Sequence, residues 1–380
     1  MMQSGAECNC KDKISSSVIK CTDLNLALCL ELQKIVETIA APGKGLLACD
    51  ESPSSLNERF QEIGIENTES TRRDYREMLL SADKVEIAAQ LSQYISGVIL
   101  HPETVYQRTS EDVEFIEFLR RRKIVAGVKV DRGLVPLFGT ENEKTTQGLD
   151  DLRENCIRYK KEGCHFAKWR CVFSISERCP SQLAMITNAN VLARFASICQ
   201  STRIVPIVEP EILSNNEHGI DRALQVHEEV LSILFRTLNE HHVYLEGMVL
   251  KPAMVLSGMK NSIKCAPQVV AEYTVTALQR TVPVAIPAIF FLSGGQSDKD
   301  SMLNLNAINA HVAKKPWRLS FCYGRALQNT AMKAWGGNRE NAEKAQAIFL
   351  KRCKLCAEAS LGQLQVEEND TCNVNDVEIV

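Results

Sequence analysis

Eight short apolar runs rich in β-formers, separated by gaps each long enough for one helix, predict an α/β chain folded as a (β/α)8 barrel of the TIM type. Two further observations point the same way. The gaps carry helical spacing, as at 224–238 and 269–278. Charged or hydroxyl-bearing residues stand at the C-terminal ends of seven of the runs, the face on which this architecture builds its active sites.

In chain order, residues 1–22 read as a mobile extension, and residues 24–39 as an amphipathic helix that starts after Asp23 and ends before Pro42 and Gly43. The strand runs follow at 45–49, 97–100, 124–130, 166–172, 204–208, 247–250, 288–292 and 319–323. A doubly wound sheet is the alternative, but Gly43 and Gly45 precede a strand, whereas a dinucleotide fingerprint follows one. Residues 23–360 are expected to form one domain. Residues 361–380, with Glu367, Glu368, Asp370, Asp376 and Glu378 and no aromatic, read as a flexible acidic tail.

Composition narrows the function. A net charge of −3 gives no general attraction to nucleic acid or anionic lipid, and no run approaches the about 20 apolar residues that span a bilayer. The apolar stretch Leu26 to Leu30 is cut short by Glu31, Gln33 and Lys34, so it does not read as a secretory signal. Fifteen cysteines, odd in number and scattered through apolar runs, fit free thiols in a reducing, cytoplasmic compartment. Cys8 with Cys10, and Cys353 with Cys356, have the spacing of metal or redox pairs, yet neither has a second Cys/His pair at zinc spacing nearby. The seven histidines form no zinc-protease pattern, so a metal-dependent mechanism is disfavoured.

The string LSGGQ at 292–296 also occurs in ABC-type nucleotide-binding domains. Such a loop completes a site whose phosphates already sit in a P-loop, and no P-loop string occurs in the chain. What remains is two glycines and a serine hydroxyl after an apolar run, a backbone able to face an anion.

The strand ends carry the chemistry. Lys129 and Asp131, Lys168 and Arg170, and Glu209 and Glu211 are spaced i, i+2, so each pair projects from one face of its strand. Asp50, Lys251, Ser293 and Arg325 close four more. Charges at sheet ends can simply pair with one another, but this many at one mouth form a near-neutral cluster with a slight positive excess, suited to a phosphorylated substrate. A lysine there, with its pKa lowered by neighbouring cations and desolvation, can attack a carbonyl and form a Schiff base. Spacing alone does not choose among Lys129, Lys168 and Lys251.

The strings APGKGLLACDES, GVKVDRG, HFAKWRC, IVPIVEPEIL, YLEGMVLKP, FLSGGQS and YGRAL, in this order, closely resemble class I fructose-bisphosphate aldolases of the animal type, over about residues 30–335. The resemblance implies reversible cleavage of fructose 1,6-bisphosphate to dihydroxyacetone phosphate and glyceraldehyde 3-phosphate, no cofactor or metal, and a homotetramer. It implies that Lys251 is the Schiff-base lysine, that Glu209 assists dehydration with Glu211 beside it, and that Asp50 activates the reacting hydroxyl near Lys168. It places the C1 phosphate at Leu292, Ser293, Gly294, Gly295, Tyr323, Gly324 and Arg325, and the C6 phosphate and sugar chain at Ser52, Ser55, Arg59, Lys129 and Arg170.

Four positions depart from the family pattern. Glu58 stands where a lysine is usual near the C6 phosphate, Ala253 replaces an asparagine, and Cys322 replaces a serine. The sequence ends Asp376 to Val380, where vertebrate members end in tyrosine. A preference shifted toward fructose 1-phosphate, or a weakly active or non-catalytic scaffold protein, is the reading these departures motivate.

Overall fold

The computed structural model describes residues 24–82 and 90–365. The expected extension at 1–22 and residues 366–380 of the expected tail lie outside the described residues. The beginning of that tail is not loose: Leu364 is buried and its N–H donates to Asn306 Oδ1 at 3.0 Å.

All eight expected strands are present: β1 (Gly45–Cys49), β2 (Ile95–Leu100), β3 (Val125–Lys129), β4 (Phe166–Phe173), β5 (Val205–Ile212), β6 (Val249–Leu250), β7 (Ala288–Phe291) and β8 (Arg318–Tyr323). Each pairs in parallel with its sequence neighbours, and β8 closes the ring on β1 through Leu46 and Cys322. Parallel strands are buried on both faces, which is why most of them read as continuous apolar runs rather than alternating ones. β5 runs four residues past its expected end, because Glu209 and Glu211 interrupt the apolar pattern while the backbone keeps pairing with β4. β6 is shorter than expected, since Leu245–Gly247 winds as a 3-10 turn. A short antiparallel pair, Leu134–Pro136 with Lys144–Thr146, was not expected from the sequence.

Two apolar clusters hold the molecule together. One lies between the strands and the surrounding helices. The other fills the barrel interior with Leu46, Ile99, Phe166, Ile207, Val249 and Phe290, and continues into Leu32, Val36 and Ile39 of the helix Leu26–Ile39. This helix, capped by the Asn25 side chain, therefore closes the bottom of the barrel with its apolar face. Inside, a Cβ at Gly127 would stand 2.1 Å from the Phe166 ring, so a glycine here makes room for a large aromatic. Full burial of such a ring is worth about 1.5–3 kcal/mol.

Candidate active site

The opposite, C-terminal mouth is a cavity of about 850 Å³. Its floor is made by residues that follow directly from strand geometry. Lys168 and Arg170 project from β4, and Glu209 and Glu211 from β5, with Arg170 directly opposite Glu209 in register. Asp50 follows β1, and Lys251 follows β6, its N–H still donating to Val208 O at 2.8 Å as if the strand continued.

Four of these side chains form one buried line of alternating charge. Lys251 Nζ is 3.0 Å from Glu209 Oε1, Glu209 Oε2 is 3.3 Å from Lys168 Nζ, and Lys168 Nζ is 2.7 Å from Asp50 Oδ2. Alternation is what lets four charges be buried together, because each desolvated ion has an opposite neighbour. Against burial, which works upward, Lys168 and then Lys251 pull the Asp50 carboxyl down to about 2 and lower Glu209 as well. Lys168 is held above its ordinary value: burial opposes, but Asp50 and Glu209 outweigh it.

Lys251 corrects an expectation. Cations were expected to hold this amine down; burial and Lys168 do work in that direction, but Cys322, Glu209 and Asp50 outweigh them and the net shift is upward. Cys322 and the Glu209 carboxylate, 3.0 Å from the amine, together favour its charged form more than burial and Lys168 disfavour it.

Around this line the cavity has two ends. At one, Leu292, Ser293 and Gly294 follow β7, and Gly324 and Arg325 open the helix Arg325–Trp335, whose first turn has no side-chain cap. Uncapped N–H groups beside an arginine suit an anion. Gly294 has to be small here, since a Cβ would stand 2.7 Å from Glu211 Oε1. At the other end, Ser52, Ser54 and Ser55 start the helix Pro53–Gln61, with Ser52 Oγ accepting from the Ser55 N–H at 3.2 Å. Lys129 stands nearby, 2.8 Å from Asp131 Oδ1. Arg170 pairs with Glu211. The mutual pairing that a structural reading would predict is thus present, among groups that also line the open cavity.

Three expected binders are not placed as anticipated. Tyr323 is fully buried, donating its hydroxyl to Ser301 O at 2.8 Å, because it alternates along β8 with Cys322 and Gly324, which face the cavity. Gly295 is not among the lining residues; its left-handed φ of +74° turns the chain beside Ser214. Arg59 reaches the cavity wall, but its guanidinium is engaged by Glu51 at 2.6 Å, Gln328 at 2.9 Å and Asn329 at 3.2 Å. Glu58 is exposed on the wall beside Ser55, while Ala253 is buried outside the lining.

The structure adds Glu51, Ser54, His101, Arg132 and Gly133 to the cavity wall. His101 and Arg132 stand just beyond β2 and β3, so the strand-end rule applied to every strand would have found them. With them the wall holds seven Lys or Arg and six Asp or Glu. Cys353 and Cys356, the spaced pair, are both buried on the helix Ala342–Ala359, where burial pushes Cys356 up to about 12 and Cys353 well above the ordinary thiol value. Among the described residues no group of His, Cys, Asp and Glu could hold a metal ion.

Comparison with known proteins agrees with this geometry. The chain is 51% identical over 333 residues to a fructose-bisphosphate aldolase of Drosophila melanogaster, covering 88% of this chain and 91% of that one. It is 52% identical over 340 residues to human fructose-bisphosphate aldolase C, covering 90% and 92%. Among solved structures it is similar to a fructose-bisphosphate aldolase from Plasmodium falciparum, solved in ternary complex with TRAP and a small molecule inhibitor, with a TM-score of 0.87, 42% identity and coverage of 90% of this chain and 98% of that one. The family model described as fructose-bisphosphate aldolase class-I matches residues 31–378. A closed eight-stranded barrel with a lysine–carboxylate line at its C-terminal mouth, matched over nearly its whole length, therefore belongs to the class I fructose-bisphosphate aldolases, a family of carbon–carbon lyases.

Proposed function

We propose that this cavity cleaves fructose 1,6-bisphosphate reversibly through an imine on Lys251. The observation that carries the reading is the buried Lys251 amine, 3.0 Å from Glu209 at the cavity floor. Of the three strand-end lysines, Lys168 pairs with two carboxylates and Lys129 is bound by the Asp131 carboxylate and carbonyl, whereas Lys251 pairs with one carboxylate, Glu209. It has the fewest contacts to break before attacking.

Because Lys251 rests as an ammonium, its proton passes first to Glu209 Oε1, which leaves the total proton count of the pair unchanged. The amine then adds to the C2 ketone. One proton of the attacking nitrogen moves to the C2 oxygen in the carbinolamine, and Glu209 returns its own to the same oxygen as water leaves and the iminium forms. Glu209 Oε1, 3.0 Å from the amine, is the atom that carries this proton, while Oε2 faces Lys168 at 3.3 Å, which holds the carboxyl in place. Asp50, anionic at neutral pH, accepts the hydrogen bond of the C4 hydroxyl. As that proton passes to Asp50, the C3–C4 bond breaks, its electrons move into the C2–C3 enamine, and C4 departs as the aldehyde. Protonation at C3 and hydrolysis then release dihydroxyacetone phosphate and restore the amine. Ser293, Gly294 and Arg325 hold the C1 phosphate in this scheme, with Ser52, Ser55 and Lys129 toward the C6 end.

Incubation with dihydroxyacetone phosphate and borohydride tests this: a reduced adduct on Lys251 is expected by peptide mass spectrometry. A folded protein without that adduct sinks the proposal. Glu58, exposed at the C6 end, favours one refinement, a preference shifted toward fructose 1-phosphate. The family resemblance further supports a homotetramer acting in the cytoplasm, which light scattering and cell fractionation check. No helix among the described residues is long and apolar enough to cross a membrane.

A further inference from the structure

His101 lines the reaction cavity, yet no role in the scheme above uses it. It follows β2 immediately and caps the short helix Pro102–Val105, where its Nδ1 accepts the Glu103 N–H at 3.2 Å. An imidazole nitrogen that accepts a hydrogen bond carries no proton, so the ring proton sits on Nε2. Nε2 has no hydrogen-bond partner among the described residues, leaving a donor on a side chain of the cavity wall. Burial and then Arg76 hold the ring down to about 4, with Lys129 acting the same way and Glu103 and Asp50 opposing, so it is neutral at working pH. β2 lies between β1, followed by Asp50 and Ser52, and β3, which ends in Lys129, while β7 and β8, followed by Ser293 and Arg325, lie beyond β1 in the ring, so His101 stands on the Ser52 and Lys129 side of the cavity.

We propose that the Nε2–H of His101 donates a hydrogen bond to the aldehyde half of the sugar, on the C5 hydroxyl or a C6 phosphate oxygen, and so sets specificity for the aldehyde substrate. This rests on the Lys251 reading above. A neutral donor is apt at this end. It can serve either a hydroxyl or a phosphate beside Glu58 and Asp131 without changing the charge of the wall.

The condensation direction separates the two halves of the substrate. His101→Phe is expected to raise KM for glyceraldehyde 3-phosphate about five- to tenfold, the worth of one hydrogen bond. KM for dihydroxyacetone phosphate is expected to stay within about twofold, as is borohydride trapping on Lys251. His101→Asn keeps an acceptor for the Glu103 N–H but is too short to reach the sugar, so it too raises the aldehyde KM while holding the melting temperature. His101→Gln, longer, recovers much of the affinity. If His101→Asn and His101→Phe both leave the aldehyde KM unchanged while the wild type forms the Lys251 adduct, the role of His101 is structural and the proposal is overturned alone. If the wild type forms no adduct, the proposal falls together with the Lys251 scheme.

Discussion

The two ends of the barrel are made by the same eight strands and could hardly differ more. The bottom is apolar and sealed by the helix Leu26–Ile39, with Leu32, Val36 and Ile39 continuing the interior packing. The top leaves room for a cavity of about 850 Å³ and buries a line of four charges. At the bottom, any well-packed apolar volume would serve. At the top, position matters atom by atom, since a buried ion whose partner is lost is left uncompensated. Stability is therefore concentrated below, and chemistry above.

The strongest way to break this division is at Lys251. Lys251→Met is expected to lower kcat by on the order of 10³-fold or more and to abolish the borohydride adduct, while the protein still unfolds cooperatively. An adduct persisting on another lysine would misplace the nucleophile.

Phe166→Ala tests the opposite end. The ring fills the interior against Gly127 and Gly97, so its loss is expected to cost about 3–5 kcal/mol in denaturant unfolding with kcat changed little. A large fall in kcat at small stability cost would show that the two ends are coupled.

Acid sharpens the same contrast. The Asp50 carboxyl sits at about 2 in the folded chain, against about 3.9 when unfolded. The folded state thus binds this proton less readily, and the stability it contributes is complete above about pH 4 and lost as the pH falls toward 2. Its size is on the order of 2 kcal/mol. Urea titrations across that window, compared with Asp50→Asn, measure it; an unchanged acid limb in the variant would contradict the pairing with Lys168.

The smallest effect is expected at the cavity rim. Glu58→Lys should lower KM for fructose 1,6-bisphosphate by about two- to fivefold, and more than for fructose 1-phosphate, because an exposed cation replaces an anion near a C6 phosphate. Equal changes for both substrates would place Glu58 away from that phosphate.

Much of the fold was legible because strands buried on both faces must be apolar almost throughout, so β1, β2 and β7 stand out as runs. Legibility failed where function intrudes on that rule. The apolar run of β5 breaks at Glu209, and the strand was expected to end there, whereas backbone pairing with β4 carries it to Ile212. His101 follows its run as directly as Asp50 and Lys251 follow theirs, and was overlooked because the strand-end reading weighed carboxylates, amines and hydroxyls and none of the family strings reaches the run at 97–100. Tyr323 shares a motif with Gly324 and Arg325, but strand alternation turns it into the outer core.

From the sequence alone came the barrel, the end of it that carries charge, and the family likeness, since periodicity and strand-end position are local properties of the chain. Only the tertiary structure decided which charge meets which. Glu209 is shared between Lys168 and Lys251, and Arg59 is drawn to Gln328, 269 residues away. Coulomb energy depends on separation in space and on desolvation, and neither is written in the spacing of residues along a chain. That is why the direction of the Lys251 shift reversed once its neighbours were in place.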